Sequence, residues 1–280
     1  MIHNITHIHS FDNTRLFMQS WQPKNEAKAV ICLVHGIGEH SSRYYEWAER
    51  FVDVGFALLS FDQRGHGLSD GKPGVISSYE DFMNDIDVVL EETNKLFPDL
   101  PFFLYGHSMG GGEVLNHLLK RKANYLGVIS TSPWIVSQAS PPKFVLPFLR
   151  MMDKIIPSYS IPTSFDANLL SHDKEEVKKY NEDELIHHMV SFRLFVDAYD
   201  AGYFVLDNNN DLQKPLLLLH GTDDEITSCQ ASQAFSESCI NKCTFIKYDK
   251  AFHELHHDFC KNLVFSDILL WLESQLKENK

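Results

Sequence analysis

The chain has 280 residues, 44% apolar and 22% charged, the balance of a folded globular enzyme and not of a fibrous or disordered chain. A formal net charge of −13 repels phosphate backbones, which argues against nucleic acid as a partner and against docking on anionic lipid through a broad basic face. The five cysteines, Cys32, Cys229, Cys239, Cys243 and Cys260, are odd in number and show neither a disulfide framework nor a paired zinc spacing. With no basic-then-apolar leader and no apolar run near the roughly 20 residues of a membrane span, a cytoplasmic enzyme is expected.

Two alternating segments, Ile5–Ser10 and Arg15–Trp21, flank a turn at Asp12-Asn13 and predict an opening hairpin. Ala29–His35 is a continuous apolar run, as expected of a strand buried on both faces. A helix is predicted over 43–54, a strand over Ala57–Asp62, a helix over 79–96, a strand over Phe102–Tyr105, a helix from about Met109 and a strand over Gly127–Thr131. The alternation stops near Trp134. From there to about Leu206 the chain shows no buried strand, but an apolar, proline-containing stretch (144–157) and two helical patterns. It resumes with strands at Pro215–His220 and Thr244–Tyr248 and helices at Gln230–Ser238 and Lys261–Lys277. These eight strands alternating with helices predict an α/β fold: a mostly parallel eight-stranded sheet, helices on both faces, and an inserted helical cap. The core then comprises 1–133 and 207–280 and the cap 134–206, over the carboxyl edge where open α/β sheets bind ligands.

Gly106-His107-Ser108-Met109-Gly110 matches G-x-S-x-G between a predicted strand and a predicted helix. The glycines permit a sharp turn that presents the Ser108 hydroxyl, and the helix N-terminus favours negative charge developing there. A serine hydroxyl needs a neighbouring base to take its proton, and the motif requires the chain order nucleophile, acid, histidine. Asp223 and Asp224 follow one later strand and His253 follows the next, so either aspartate fits the order. His35-Gly36-Ile37-Gly38 directly follows an earlier strand, which assigns the oxyanion-binding amides to Ile37 and Met109. His253-Glu254-Leu255-His256-His257 formally matches the zinc-protease pattern H-E-x-x-H, but that chemistry needs both histidines on one helical face and a third ligand, and here the match follows a strand at once, inside the loop where the hydrolase needs its histidine, so no metal is expected. His187-His188 reads as polar cap surface.

The segments 35–44 (HGIGEHSSRY), 61–71 (FDQRGHGLSDG), 106–112 (GHSMGGG), 216–226 (LLLLHGTDDEI) and 248–258 (YDKAFHELHHD) together resemble the monoacylglycerol lipase and lysophospholipase branch of the α/β hydrolases, serine aminopeptidase S33-like enzymes. The resemblance runs from about residue 10 to the C-terminus and takes in a cap stretch at 170–188. It implies the α/β-hydrolase fold, and it implies Asp224 rather than Asp223 as the acid, three residues after Gly221. Glu113 departs from the small or apolar residue more usual at its place, as a solvated helix residue or an altered pocket floor.

The expectation is a serine hydrolase cleaving carboxylic esters of monoacylglycerol or lysophospholipid type, with Ser108, Asp224 and His253 catalytic and no cofactor. A small-ester carboxylesterase, an acyltransferase or peptidase on the same residues, and a non-catalytic binding module stay open, as do oligomeric state and contact of the cap with a membrane. A dehalogenase or epoxide hydrolase is disfavoured because both use a carboxylate nucleophile.

Overall fold

The computed structural model describes residues 1–142, 144–163, 166–208, 212–239 and 242–279. The chain divides into two compact units, Met1–Phe103 with Ser140–Ser164 and Glu184–Asp200, and Leu104–Ala139 with Phe165–Asp183 and Ala201–Lys280. Each unit carries part of one mostly parallel eight-stranded sheet.

In the first unit β1 (Ile2–His9) and β2 (Arg15–Gln22) form the expected hairpin, in register from Ile2 opposite Gln22 to His9 opposite Arg15. At its turn Asp12 accepts from the Thr14 amide at 3.1 Å, and Asn13 adopts a left-handed φ of 65°, which asparagine tolerates better than most residues. β3 (Val30–Val34) and β4 (Ala57–Phe61) pair in parallel, and every residue of both is buried. A strand covered on both faces has no polar side to alternate with, hence the apolar run of β3 and that of β4, broken only at Ser60, whose hydroxyl donates to the Leu33 carbonyl at 2.9 Å. α1 (Tyr45–Asp53) and α2 (Tyr79–Leu96) follow these strands. Ser78 and Asp81 form a capping box at the start of α2. Between β4 and α2, the Arg64 guanidinium forks onto buried Asp85 through two contacts of 2.7 Å.

β5 (Phe102–His107) crosses the division between the units. In the second unit it pairs in parallel with β6 (Val128–Thr131), β6 with β9 (Leu216–Gly221), and β9 with β10 (Cys243–Tyr248). α3 (Ser108–Lys120), α7 (Cys229–Ser238) and α8 (Lys261–Glu278) complete the alternation.

The stretch between β6 and β9 departs from expectation. It holds α4 (Leu146–Ile155), α5 (Lys174–Glu182) and α6 (Phe192–Asp207). It also holds an antiparallel pair, the largely exposed β7 (Ser160–Pro162) and β8 (Met189–Ser191), in a stretch where the sequence shows no buried strand. Three residues are too few to display alternation, and Pro162 reads as a breaker in sequence although it is tolerated at a strand edge. Among the described residues, no helix is long and apolar enough to cross a membrane.

Candidate active site

Ser108 is the first residue of α3 and the last step of the turn out of β5. Its φ is +55°, a left-handed conformation that costs a side chain of this type of order 1 kcal/mol or more and persists only where packing enforces it. Packing does so here. A Cβ at Gly106 would fall 2.2 Å from the Gly110 carbonyl oxygen, so only glycine lets strand and helix meet this closely. A Cβ at Gly112 would lie 2.7 Å from the Trp134 carbonyl oxygen, which brings the chain after β6 against α3. The Trp134 amide in turn donates to the Ser108 carbonyl at 2.8 Å.

Asp224 lies on the loop after β9 and His253 on the loop after β10, in the same unit as Ser108. His253 Nε2 is 2.9 Å from Ser108 Oγ, and His253 Nδ1 is 2.7 Å from Asp224 Oδ2. With the imidazole proton on Nδ1 donated to Asp224, Nε2 accepts from the Ser108 hydroxyl. The neighbouring Asp223 is exposed, its carboxylate accepting from the Thr222 hydroxyl at 3.0 Å. The structure therefore brings together Ser108, His253 and Asp224, and leaves Asp223 out.

The Asp224 carboxylate is saturated. Oδ1 accepts from the amides of Ile226 and Thr227 at 2.8 and 2.9 Å. Oδ2 faces His253 Nδ1, the Thr227 hydroxyl at 2.9 Å and His220 Nε2 at 3.1 Å. Burial pushes this carboxyl up, but the charge of His253 and the hydrogen bonds from His220 and His253 outweigh it and hold the group well below the usual carboxylate range. His220 is fully buried at the end of β9, and its Nδ1 lies 2.8 Å from the Ser232 hydroxyl on α7. Sequence reasoning missed both His220 and Thr227. A histidine closing an all-leucine strand was one signal, since a buried imidazole requires partners. An Asp-x-x-Thr spacing was the other, because it folds a local turn back onto the carboxylate.

The loop carrying His253 is pinned. The Ser132 hydroxyl donates to the His253 carbonyl at 2.8 Å, and the Glu254 amide donates to the Leu170 carbonyl at 2.8 Å. The Ser171 hydroxyl donates to the His257 carbonyl at 2.8 Å, and the His172 ring stacks on Phe252 at 3.7 Å between centroids. Residues 170–172 of the predicted cap thus fasten the histidine loop. Residues 253–257 form turns and no helix, so the zinc-protease geometry, which needs two histidines on one helical face, does not arise.

Residues 25–259 match the family described as serine aminopeptidase, S33. The chain belongs to that family. It is 30% identical to human monoglyceride lipase over 97% of its own length and 91% of that protein. It is 32% identical to an uncharacterised abhydrolase domain-containing protein of Dictyostelium discoideum over its whole length, and spans 30% of that much longer relative. The crystal structure of a monoacylglycerol lipase from Paleococcus ferrophilus superposes with a TM-score of 0.85 at 31% identity, covering 93% of this chain and 99% of that one. This S33-family protein is therefore an α/β hydrolase of the monoacylglycerol lipase branch and a carboxylic ester hydrolase.

In this S33 hydrolase Met109 is buried in the first turn of α3, beside Ser108. Ile37 belongs to the first unit, on the loop after β3, where Gly38 takes a φ of +76° and its carbonyl accepts from the His187 amide at 2.9 Å. His187 is more than polar surface. Its ring packs on that of buried His66 at 4.6 Å, and burial pushes it down to about 4, whereas His188 is exposed. Glu113 is fully buried within α3, which removes the reading of a solvated helix residue.

Proposed function

We propose that this hydrolase cleaves monoacylglycerols or lysophospholipid-type esters through an acyl-enzyme on Ser108. The observation that carries the mechanism is the continuous line Ser108 Oγ, His253 Nε2 and Nδ1, Asp224 Oδ2, with steps of 2.9 and 2.7 Å. Ser108 Oγ attacks the ester carbonyl while His253 takes its proton. Asp224 holds the imidazole in the tautomer that leaves Nε2 free to accept, and stabilises the imidazolium as it forms. The amide of Met109, which follows Ser108 in the first turn of α3, donates to the oxyanion of the tetrahedral intermediate. His253 then protonates the departing alcohol, and water, activated by the same imidazole, releases the fatty acid. No cofactor enters these steps.

The lipid preference is supported by the glyceride-cleaving relatives and by α4. That helix and its approach carry exposed Phe144, Phe148, Met151 and Ile155, a row of apolar side chains suited to lipid. Residues 134–206 act in this reading as the cap, with peripheral contact to a membrane through α4, in a cytoplasmic enzyme. Each methylene of an acyl chain taken out of water contributes about 0.8 kcal/mol, so rates rise with chain length until the site is filled.

Fluorophosphonate labelling and ester turnover of the wild type and Ser108→Ala test the mechanism. We expect labelling to vanish and kcat to fall by at least about 10⁴-fold with the fold intact. Near-normal turnover in the variant refutes it. Rates on p-nitrophenyl esters from acetate to palmitate, beside mono- and triacylglycerols, test the substrate. A steady decline from acetate with no glyceride turnover makes this a small-ester carboxylesterase instead.

A further inference from the structure

Just beyond His253 lies a cluster that the hydrolysis does not use. Glu254, His256 and His257 are all buried, and one ligand-type atom of each lies within 4.8 Å of those of the other two. Among the described residues this is the one group of three with that arrangement. His257 Nδ1 lies 2.8 Å from Glu254 Oε2, while its Nε2 is directed toward Glu176 Oε2 at 3.9 Å. Glu176 accepts from Lys179 through its other oxygen at 2.8 Å. The His256 ring packs against His257 at 4.3 Å and His107 at 4.9 Å. Two imidazoles and a carboxylate make an N/N/O donor set suited to zinc, and Glu176, 3.9 Å from His257 Nε2, stands where a small shift would let it support a metal-bound histidine as carboxylates commonly do.

We propose that Glu254, His256 and His257 form a binding site for a divalent transition ion of zinc type, and that its occupation slows ester turnover. Two donors on one zinc stand about 3.3 Å apart when each bond is about 2.0 Å, so the ion opens the contact between His257 and Glu254. Those residues share a short loop with His253, whose ring packs on His107 at 4.9 Å, one residue before Ser108. A displacement of that loop misaligns Nε2 from Oγ, and errors well below 1 Å at a reacting pair already cost rate. The inhibitory half rests on the proposed roles of Ser108 and His253; the binding half does not. The chelator-treated full chain is titrated with Co²⁺ and followed by its visible absorption, and X-ray absorption at the zinc edge is recorded on the Zn²⁺-loaded protein. One ion per chain is expected, ligated by two imidazoles and oxygen. Binding should weaken at least about 10-fold in Glu254→Gln and His256→Gln. It should stay unchanged in Ser108→Ala and in His188→Gln, which lies on the surface. Zn²⁺ should slow p-nitrophenyl ester turnover, and EDTA should restore it. Failure of the wild type to bind a stoichiometric ion, a single imidazole at the zinc edge, or equal binding by both site variants overturns the site. An ion bound there without effect on turnover overturns the inhibition alone, and leaves the Ser108 mechanism to its own labelling test.

Discussion

Asp223 and Asp224 are adjacent, yet one is exposed and the other is buried in a shell of five donors. Asp224, and not Asp223, lies against the His253 imidazole, at 2.7 Å. Asp224→Asn should therefore lower kcat by about 10⁴-fold, and Asp223→Asn should change it little, as steady-state kinetics will report. Asp224 also stabilises the fold in a pH-dependent way. Its carboxyl is held well below an unfolded value of about 3.9, so its contribution is full above about pH 4 and is lost as pH falls further. The gap in Tm between wild type and Asp224→Asn should narrow below that pH. His220 is a positioning residue in the same shell, donating from Nε2 to Asp224 when Nδ1 accepts from Ser232. Replacing it with leucine removes a buried hydrogen bond to a charged group, and kcat should drop about 10-fold with KM unchanged. Glutamine, which keeps a donor in reach, should recover most of the loss. Equal damage from both variants would mean that His220 only fills space.

At the scale of elements, the site depends on how closely α3 meets its surroundings. Gly112 stands where a Cβ would meet the Trp134 backbone at 2.7 Å, and Trp134 is hydrogen-bonded to Ser108. Alanine at 112 cannot be accommodated by rotating a side chain, so the helix or the chain after β6 must move. Gly112→Ala should destabilise the protein by about 1–3 kcal/mol, read as a lower urea midpoint, and should reduce kcat as Ser108 shifts. An unchanged midpoint would show that the 133–135 segment yields freely. α4 is anchored differently, by Arg150 to Asp200 at 2.8 Å and Asp153 to Arg193 at 2.7 Å on α6. Polar pairs at the α6 side leave its apolar residues turned outward.

For the whole molecule, charge and apolar exposure pull in opposite directions. A net charge of −13 opposes approach to anionic lipid, while Phe144 at 82% and Ile155 at 66% exposure favour an apolar surface. Co-sedimentation should then show binding to phosphatidylcholine vesicles that weakens, not strengthens, as phosphatidylserine is added. Phe148→Glu combined with Ile155→Glu should abolish it, leaving hydrolysis of short soluble esters intact. Tighter binding to anionic vesicles would point to a local basic contact and against insertion of α4.

The order of strands and helices was legible because its signals are local. Val30–Val34 announces a doubly covered strand by an unbroken apolar run, Ala57–Phe61 by one broken only at Ser60, and Gly106 to Gly110 announces its turn within five residues. The chain order of Ser108, the aspartate pair and His253 was legible for the same reason, each lying just past a recognisable strand. Between Asp223 and Asp224 the residues alone did not decide; the resemblance to known hydrolases did, and burial gave the physical cause. Ser108 and His253 are 145 residues apart, and their approach to 2.9 Å is produced by parallel strands that bring distant loops to one end of the sheet. That same packing decided what no local pattern encodes: the tie of Leu170 to Glu254, the burial of Glu113, and the approach of Glu176 to His257. The three-residue strands β7 and β8 belong with these, since a pairing so short is specified by its partner and not by its own periodicity.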